Sequence, residues 1–241
     1  MTRSSSHGRR GRWTRRLCAA CLALGIAWAA SGSVEKAAPD PWLVENGTAR
    51  LLRIAGHGYA VPLGYIDAPL EPGLDQDGLL LTMLWPGLEP RTPANLREFT
   101  HVPGWGRRVN LLIQKNRFKS SDLVLLRSEL KAMTWPSYIL DLIDLQHNLN
   151  HFEFLHTSLK QEEKFDFFID GSPDNPHLFI RCSRPENVPK PGCNLVFVSN
   201  NNRMKISFER TRLPEWRIVQ DSILRLLAQF SDSYDQLSEM E

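Results

Sequence analysis

Residues 165–209 decide the fold: FDFFIDGSPDNPHLFIRCSRPENVPKPGCNLVFVSNNNRMKISFE. In this stretch, short runs of alternating apolar and polar residues are separated by clusters of Gly, Pro, Asn and Asp. Alternation with a period of two is typical of β-strands that bury one face, and such clusters favour tight connections. In the last run, Met204, Ile206 and Phe208 share one face. The stretch therefore predicts an antiparallel meander of short strands.

The segment that follows the meander, LPEWRIVQDSILRLLAQF at residues 213–230, has the spacing of a helix. Its apolar residues recur every three or four positions, which places them in a stripe along one helix face. Strands followed by a helix that covers them indicate an α+β fold rather than a doubly wound parallel sheet. We therefore expect an antiparallel sheet packed against a C-terminal amphipathic helix. The stripe consists of Trp216, Val219, Ile223, Leu226, Leu227 and Phe230.

Before the meander, the pattern predicts four further strands and one or two middle helices. Pro62 places the second of these strands at a sheet edge or at a bulge, and the third, a continuous apolar run, is typical of a central strand buried on both faces. Residues 139–149 are ambiguous because Leu142, Leu145 and Leu149 have helical spacing among several asparagines. The predicted strands are Ala49–Ala55, Tyr59–Ile66, Leu79–Trp85 and Val109–Gln114. A helix is predicted to begin at the cap Ser121-Asp122, to run through Leu123, Leu126, Leu130 and Met133, and to end at Trp135-Pro136. The segment Pro86–Pro103 is predicted to be a surface loop.

The N-terminal residues have the parts of a secretory signal peptide. Six arginines and no acidic residue lie in the first sixteen residues, an uncharged apolar run follows from Leu17, and Ala27-Trp-Ala29 has the form that a signal peptidase accepts. We expect residues 1–29 to be a signal peptide, residues 30–41 a flexible tether and residues 42–241 a single α+β domain in the periplasm. Because the apolar run is shorter than the roughly 20 residues that cross a bilayer, cleavage is favoured over a retained anchor.

Two other export signals match the leader less well. Lipidation at Cys21 needs an aliphatic residue three places earlier, where the chain has Cys18. The Arg15-Arg16 pair lacks the polar and aromatic context of a twin-arginine signal. The general secretory route is therefore the expected one.

The leader also distorts the charge of the chain. The 241 residues carry 29 basic and 27 acidic side chains, a net charge of +2, whereas residues 17–241 carry 23 basic and 27 acidic side chains, a net charge of −4. The chain is 42% apolar, which excludes a disordered protein. An acidic domain is unsuited to nucleic acid, and its charge favours a basic partner through electrostatic steering.

Export leaves Cys182 and Cys193 as the two cysteines of the mature chain. In an oxidising compartment an even pair favours a disulfide. The flanking runs 178–181 and 194–198 are predicted strands, and the ten residues between the cysteines are loop-forming. A bridge here closes the open end of a hairpin, with two buried free thiols as the alternative.

No pattern in the sequence identifies a catalytic, cofactor or metal site. His147 and His151 have the spacing of a helical zinc pair, but an asparagine follows the first histidine where a zinc hydrolase needs its general-base glutamate. We interpret both histidines as solvated. Asp166, Asp170 and Asp174 are candidate paired carboxylates, yet the first two fall on one side of an alternating strand, where a solvated face is expected. A site assembled from distant residues stays an alternative.

A cationic cluster lies outside the leader, at Arg203, Lys205, Arg210, Arg212 and Arg217. These residues are interleaved with two glutamates, which indicates a salt-linked face in contact with solvent. A surface for an acidic partner is the alternative.

Three stretches resemble a known group of proteins: RIAGHGYAVPLGYI at 53–66, LLTMLWP at 80–86 with LEPRT at 88–92, and ISFERTRLPEW at 206–216. They are similar to small exported proteins of Gram-negative bacteria that are found near type VI secretion effector genes and act as immunity proteins. The shared motifs are structural, so no functional residue is carried over. The resemblance implies a binding role, in which the protein holds a toxic effector in the periplasm and occludes its active site.

We therefore expect a non-enzymatic periplasmic protein whose partner is a secreted antibacterial effector. An envelope hydrolase with a site built from scattered residues, and an accessory component of a secretion or envelope assembly, are the alternatives. We expect the interface in the Pro86–Pro103 loop and in the loop between Cys182 and Cys193, because long loops on a rigid scaffold often carry recognition. Membrane contact is expected only through an uncleaved leader, and the oligomeric state is left open.

Overall fold

The computed structural model describes residues 49–70, 73–116, 121–134, 140–154 and 165–239. The expected signal peptide and tether lie outside these residues, as does the Trp135-Pro136 pair. Within the described ranges, no helix combines the length and the apolar character that crossing a bilayer requires.

The described residues form eleven strands and three α-helices. Two 3₁₀ segments, Leu63–Tyr65 and Arg210–Glu215, connect elements of the core. The strands are β1 (Ala49–Ile54), β2 (His57–Pro62), β3 (Asp75–Gln76), β4 (Gly78–Leu84), β5 (Arg108–Lys115), β6 (Leu140–Gln146), β7 (Leu149–Phe154), β8 (Phe165–Ser172), β9 (Asn175–Ser183), β10 (Gly192–Ser199) and β11 (Asn202–Glu209), and the helices are α1 (Leu96–Thr100), α2 (Asp122–Thr134) and α3 (Trp216–Ser238).

Eight strands form one sheet in the order β4-β5-β11-β10-β9-β8-β7-β6. Every pair of neighbours is antiparallel. The predicted meander is confirmed as β8 to β11, whose strands follow one another both along the chain and across the sheet. With α3 behind it and α2 in the middle of the chain, the fold belongs to the α+β class, as expected.

A small sheet in the order β2-β1-β3 lies beside the large one. Its β1–β2 hairpin turns at Ala55 and Gly56, which both have positive φ angles, and β3 pairs with β1 in parallel. Pro62 ends β2, an edge strand, as its lack of an N–H predicts.

The prediction of a central strand at Leu79–Trp85 is wrong. β4 stands at the end of the eight-stranded order, and its outer edge meets the chain that follows β2. Ile66 forms an isolated bridge with Leu81, and the N–H of Asp67 donates to the carbonyl of Leu80 at 2.9 Å. The strand is apolar because the core and this crossing segment cover it.

The apolar core lies between α3, the small sheet and one face of the large sheet, which we call the inner face. The predicted helical stripe is confirmed, since α3 buries Trp216, Val219, Ile223, Leu227 and Phe230, and Leu226 packs against them at the edge. The Phe230 ring meets Tyr65 edge-on at 5.2 Å, which joins the helix to the 3₁₀ segment that follows β2. Each fully buried side chain of this size contributes roughly 1.5–3 kcal/mol.

The opposite face of the large sheet, the outer face, is covered only in part by described residues. Leu126 and Leu130 of α2 pack on Phe167, Phe179 and Val196, which belong to β8, β9 and β10. The start of α2 follows the prediction, because the hydroxyl of Ser121 accepts a hydrogen bond from the N–H of Val124 at 3.4 Å. Over β4, β5 and β11, the outer face is mostly polar.

Of the ambiguous residues, 140–149 are described, and they form no helix. They belong to the β6–β7 hairpin, whose turn consists of His147 and Asn148 with φ angles of 54° and 61°. Two consecutive left-handed residues are the mark of a type I′ hairpin turn. Leu145 is 69% exposed whereas Leu149 is buried, so the helical spacing of these leucines has no structural meaning.

Cys182 and Cys193 are cross-strand partners in β9 and β10, and the structure joins them in a disulfide. We expect the double substitution Cys182→Ala with Cys193→Ala to lower the free energy of unfolding by about 3 kcal/mol, because the bridge restricts a short loop of the unfolded chain. Urea unfolding of the oxidised protein and of the variant measures this difference. Peptide mapping of non-reduced protein that recovers the two cysteines unlinked would contradict the pairing.

Candidate partner-binding surface

The Pro86–Pro103 loop and the Cys182–Cys193 loop meet at one end of the large sheet. The ammonium group of Lys190 donates to the carbonyl of Pro103 at 2.5 Å. The ring of Trp105 lies so close to Gly192 that a Cβ at this position would overlap it. The two loops that the sequence nominates are therefore one continuous surface, residues 86–107 with residues 184–191, which we call the loop surface.

Arg107 holds the first loop in shape. Its Nε donates to the carbonyl of Trp85 at 2.7 Å, while its Nη atoms lie 2.9 Å from Glu89 and 3.2 Å from Glu98. These side chains are more than a third exposed, so the ion pairs contribute little free energy. Their effect is geometric, because one planar guanidinium ties both ends of the loop to helix α1.

The second loop is short and closed at its base by the disulfide. The N–H of Asn187 donates to the carbonyl of Arg184 at 3.1 Å, and the N–H of Arg210 donates to the carbonyl of Pro191 at 2.9 Å. Each loop exposes an apolar side chain: Val102 is 37% exposed and Val188 is 36% exposed. Rigid loops with exposed valines suit a contact with another protein.

A cavity of about 410 Å³ lies beside the second loop. The β6–β7 turn forms one wall, and Trp216 fixes that turn by donating from Nε1 to the carbonyl of His147 at 3.0 Å. Proline rings and a leucine give the cavity an apolar lining, with polar groups at its edge. The side chains that define it include Gln146, Pro185, Pro191, Arg210 and Leu213.

Asp166 is the buried anchor of this region, with a side chain only 8% exposed. Its carboxylate lies 2.6 Å from Nε of Arg184 and 2.5 Å from Nη2 of Arg210. The other Nη of Arg210 donates to the carbonyl of Ser183 at 2.9 Å. Charge-assisted hydrogen bonds of this kind are strong and directional, so they fix the guanidinium that lines the cavity.

His151 extends the ionic cluster into β7. The imidazole is buried, stacks on Phe168 at 4.8 Å, and lies 2.9 Å from Asp144 and 3.8 Å from Asp166. A hydrogen bond from Gln146 to Asp144, and then one from His151, lower the pKa of the Asp144 carboxyl. Asp144 therefore keeps its negative charge beside the imidazole.

The expectation of a solvated Asp166 is wrong. Both faces of β8 are covered at this point, because α2 lies over Phe167 and the inner core surrounds Phe168. The three candidate carboxylates do not converge: Asp170 lies 3.7 Å from an exposed histidine, and Asp174 is 93% exposed. One feature of the sequence did indicate the burial of Asp166: Phe168 lies on the same side of the strand, and a large apolar residue there favours a buried face.

The histidine pair is also not as expected. His147 is exposed in the hairpin turn, whereas His151 is buried in β7 rather than solvated. Their spacing reflects a turn and a strand instead of one helical face. In the part of the chain that the structure describes, no group of three or more His, Cys, Asp or Glu side chains is placed to hold a metal ion.

The cationic cluster of the sequence is not one solvated face. Arg210 pairs with Asp166 at the inner rim, Arg212 donates to the carbonyl of Gly106 at 3.4 Å, and Arg217 lies over the ring of the adjacent Trp216. Arg203 and Lys205 point to the outer face, because they alternate with the core residues of β11. The structure therefore divides the cluster between two surfaces.

No protein-family model matches the sequence, and no curated protein matches it either. The fold is similar to that of Smlt3025, an immunity protein of the Stenotrophomonas maltophilia type IV secretion system, with a TM-score of 0.59 and 14% identity over 76% of this chain and 93% of that one. A weaker similarity, with a TM-score of 0.48 and 13% identity over 76% of this chain and 92% of the other, is to the iron-regulated outer membrane lipoprotein FrpD of Neisseria meningitidis. At 14% identity, the similarity to Smlt3025 concerns the fold alone.

Asp166 offers a direct test of the buried cluster. We expect Asp166→Asn to lower the free energy of unfolding by about 3 kcal/mol, because it leaves two arginines without their counter-charge. Asp170→Asn, on the same strand but half-exposed, is the matched control and is expected to stay within about 0.5 kcal/mol of wild type. Urea unfolding of the three proteins measures both effects, and equal stabilities would refute the anchoring role.

Proposed function

We propose that this chain is an exported immunity protein that binds and inhibits an antibacterial effector in the periplasm. The observation that carries the proposal is the fold shared with an immunity protein over 93% of that protein's chain. The resemblance of residues 53–66, 80–92 and 206–216 to immunity proteins gives independent support. The Cys182–Cys193 disulfide suits an oxidising compartment, and the signal-peptide pattern supplies a route to it.

The loop surface is the part of the molecule that best suits inhibition by direct binding. Its shape is set before any partner arrives, by Arg107 in the first loop, by the disulfide in the second and by Lys190 between them. A preformed surface loses little conformational entropy on binding, which favours affinity. The adjoining cavity has room for a side chain of the partner.

The system that delivers the effector is a separate question. The sequence resemblance favours a type VI system, whereas the similar structure belongs to a protein of a type IV system. We propose the type VI assignment, and the identity of the genes next to the one that encodes this protein tests it. Type VI effector and structural genes would support the assignment, whereas type IV genes would overturn it without affecting the immunity role.

Co-expression tests the function itself. We expect the full chain to rescue bacterial cells that express an effector encoded next to its own gene, fused to a periplasmic signal, as measured by colony counts. The chain without residues 1–29 is the matched control and is expected to fail, because it stays in a different compartment from the effector. The proposal fails if the full chain neither binds the purified effector nor protects the cells.

Val102 and Val188 test the loop surface. We expect Val102→Asp with Val188→Asp to weaken effector binding at least tenfold, because two carboxylates then enter an interface that excludes water. Leu237→Asp, at a position of α3 that is equally exposed at 37%, is the control and should bind like wild type. Isothermal titration calorimetry measures the affinities, and a larger loss for the control would move the interface to α3.

A further inference from the structure

The outer face of the large sheet carries three cations beside the edge of α2. Arg181 lies on β9, and Arg203 and Lys205 lie on β11; we call these three residues the basic patch. Arg203 is paired, with Nη2 lying 2.8 Å from Glu129 of α2. Among the described residues, neither Arg181 nor Lys205 has an ion-pair partner. The patch therefore has more positive charge than the described residues neutralise.

Arg181 is held in place by a ring, without a counter-charge from the part of the chain that the structure describes. Its guanidinium carbon lies 3.6 Å from the centre of the Phe165 ring, and its Nε is buried with no hydrogen-bond partner among the described residues. Burial lowers the pKa of this guanidinium. Stacking on an aromatic ring fixes the plane of an arginine and leaves its edge ready for a carboxylate.

Lys205 has a similar deficit of negative charge. Burial is the main cause that lowers the pKa of its ammonium group, and the charges of Arg203 and Arg181 lower it further, while Glu129 acts in the opposite direction. The charged form of Lys205 is therefore less stable here than in water. A carboxylate brought to this surface would supply the negative charge that Arg181 and Lys205 lack among the described residues.

The surroundings of the patch indicate which kind of anion it suits. A row of polar groups crosses four strands beside it, where Ser207 donates to Asn194 at 2.7 Å and Thr82 donates to Asn110 at 3.1 Å. The next row sets Lys205 beside half-buried leucines, Leu112 on β5 and Leu80 on β4.

Arginine, an aromatic ring, amides and leucines together are the composition of a protein–protein interface. A site for nucleic acid or anionic lipid collects a larger number of lysines and arginines, and it gains from a positive overall charge. Residues 17–241 instead carry a net charge of −4. The overall charge thus disfavours a polyanion, and the local composition favours carboxylates of a folded protein.

We propose that the basic patch binds acidic side chains of a protein partner. This inference rests on the proposed function, so the partner is the effector that the loop surface contacts. Arg181 lies nearest to the loop surface, since it directly precedes Cys182, where the disulfide closes the second loop. An acidic segment of the effector would run from the loop surface along β9 and β11 of the outer face.

The test compares two double variants of the full chain that change the net charge equally. Arg181→Gln with Lys205→Gln neutralises the patch, whereas Arg50→Gln with Arg225→Gln neutralises two exposed cations elsewhere. Calorimetry with the purified effector is expected to show at least a tenfold loss of affinity for the patch variant and less than a twofold change for the control. Raising the salt concentration should weaken the wild type more than the patch variant.

Lys205→Glu provides a second reading. The new carboxylate can pair with the arginines beside it, so we expect the variant to fold, and it should bind the effector less well than the neutral Lys205→Gln protein.

Equal affinities of the patch variant and the control would overturn the basic patch while the immunity function stands. Failure of wild type to bind the effector would overturn the function itself. Patch-dependent binding of phosphatidylglycerol vesicles or single-stranded RNA, in place of the effector, would also refute the proposal.

Discussion

Burial of the inner face of the eight-stranded sheet is the interaction on which the rest of the structure depends. At roughly 1.5–3 kcal/mol for each large apolar side chain, leaving this face in water would cost more than the roughly 5–15 kcal/mol by which a domain is stable. Helix α3 and the small sheet must therefore cover it. Six strands contribute side chains that are fully buried, among them Leu81, Leu111, Phe168, Ile180, Leu195 and Ile206.

The position of α3 determines how the rim of the sheet is built. The chain passes from β11 into α3 through the 3₁₀ segment Arg210–Glu215, which brings Arg210 over the buried carboxylate of Asp166. The same carboxylate binds Arg184 at the start of the second loop, so one charge joins the helix, the sheet and the loop. In our proposal, the partner binds the loop surface and the part of the outer face that no described residue covers.

The sequence predicts those elements of the fold whose residue pattern fits only one type of secondary structure. β11 alternates between apolar and polar residues, β8 to β10 are short apolar runs between turn residues, and the stripe from Trp216 to Phe230 has a single helical solution. Prediction failed where two patterns coincide or where burial depends on distant elements. Leu142, Leu145 and Leu149 fit a helix by spacing, although Asn148 is a residue that accepts the left-handed turn found there. Asp166 looked solvated because its two arginine partners come from positions 184 and 210, which no local pattern joins to it.

Hydrogen–deuterium exchange of the full chain, alone and with the neighbouring effector, tests the central claim most directly. That claim is that the chain binds an effector through the loop surface and the adjoining outer face. We expect binding to slow exchange in residues 86–107 and 184–191 and along β9 and β11, because these amides become less accessible to opening and to water. Exchange that stays unchanged everywhere, or that slows only in β1, β2 and the C-terminal half of α3, would contradict the account.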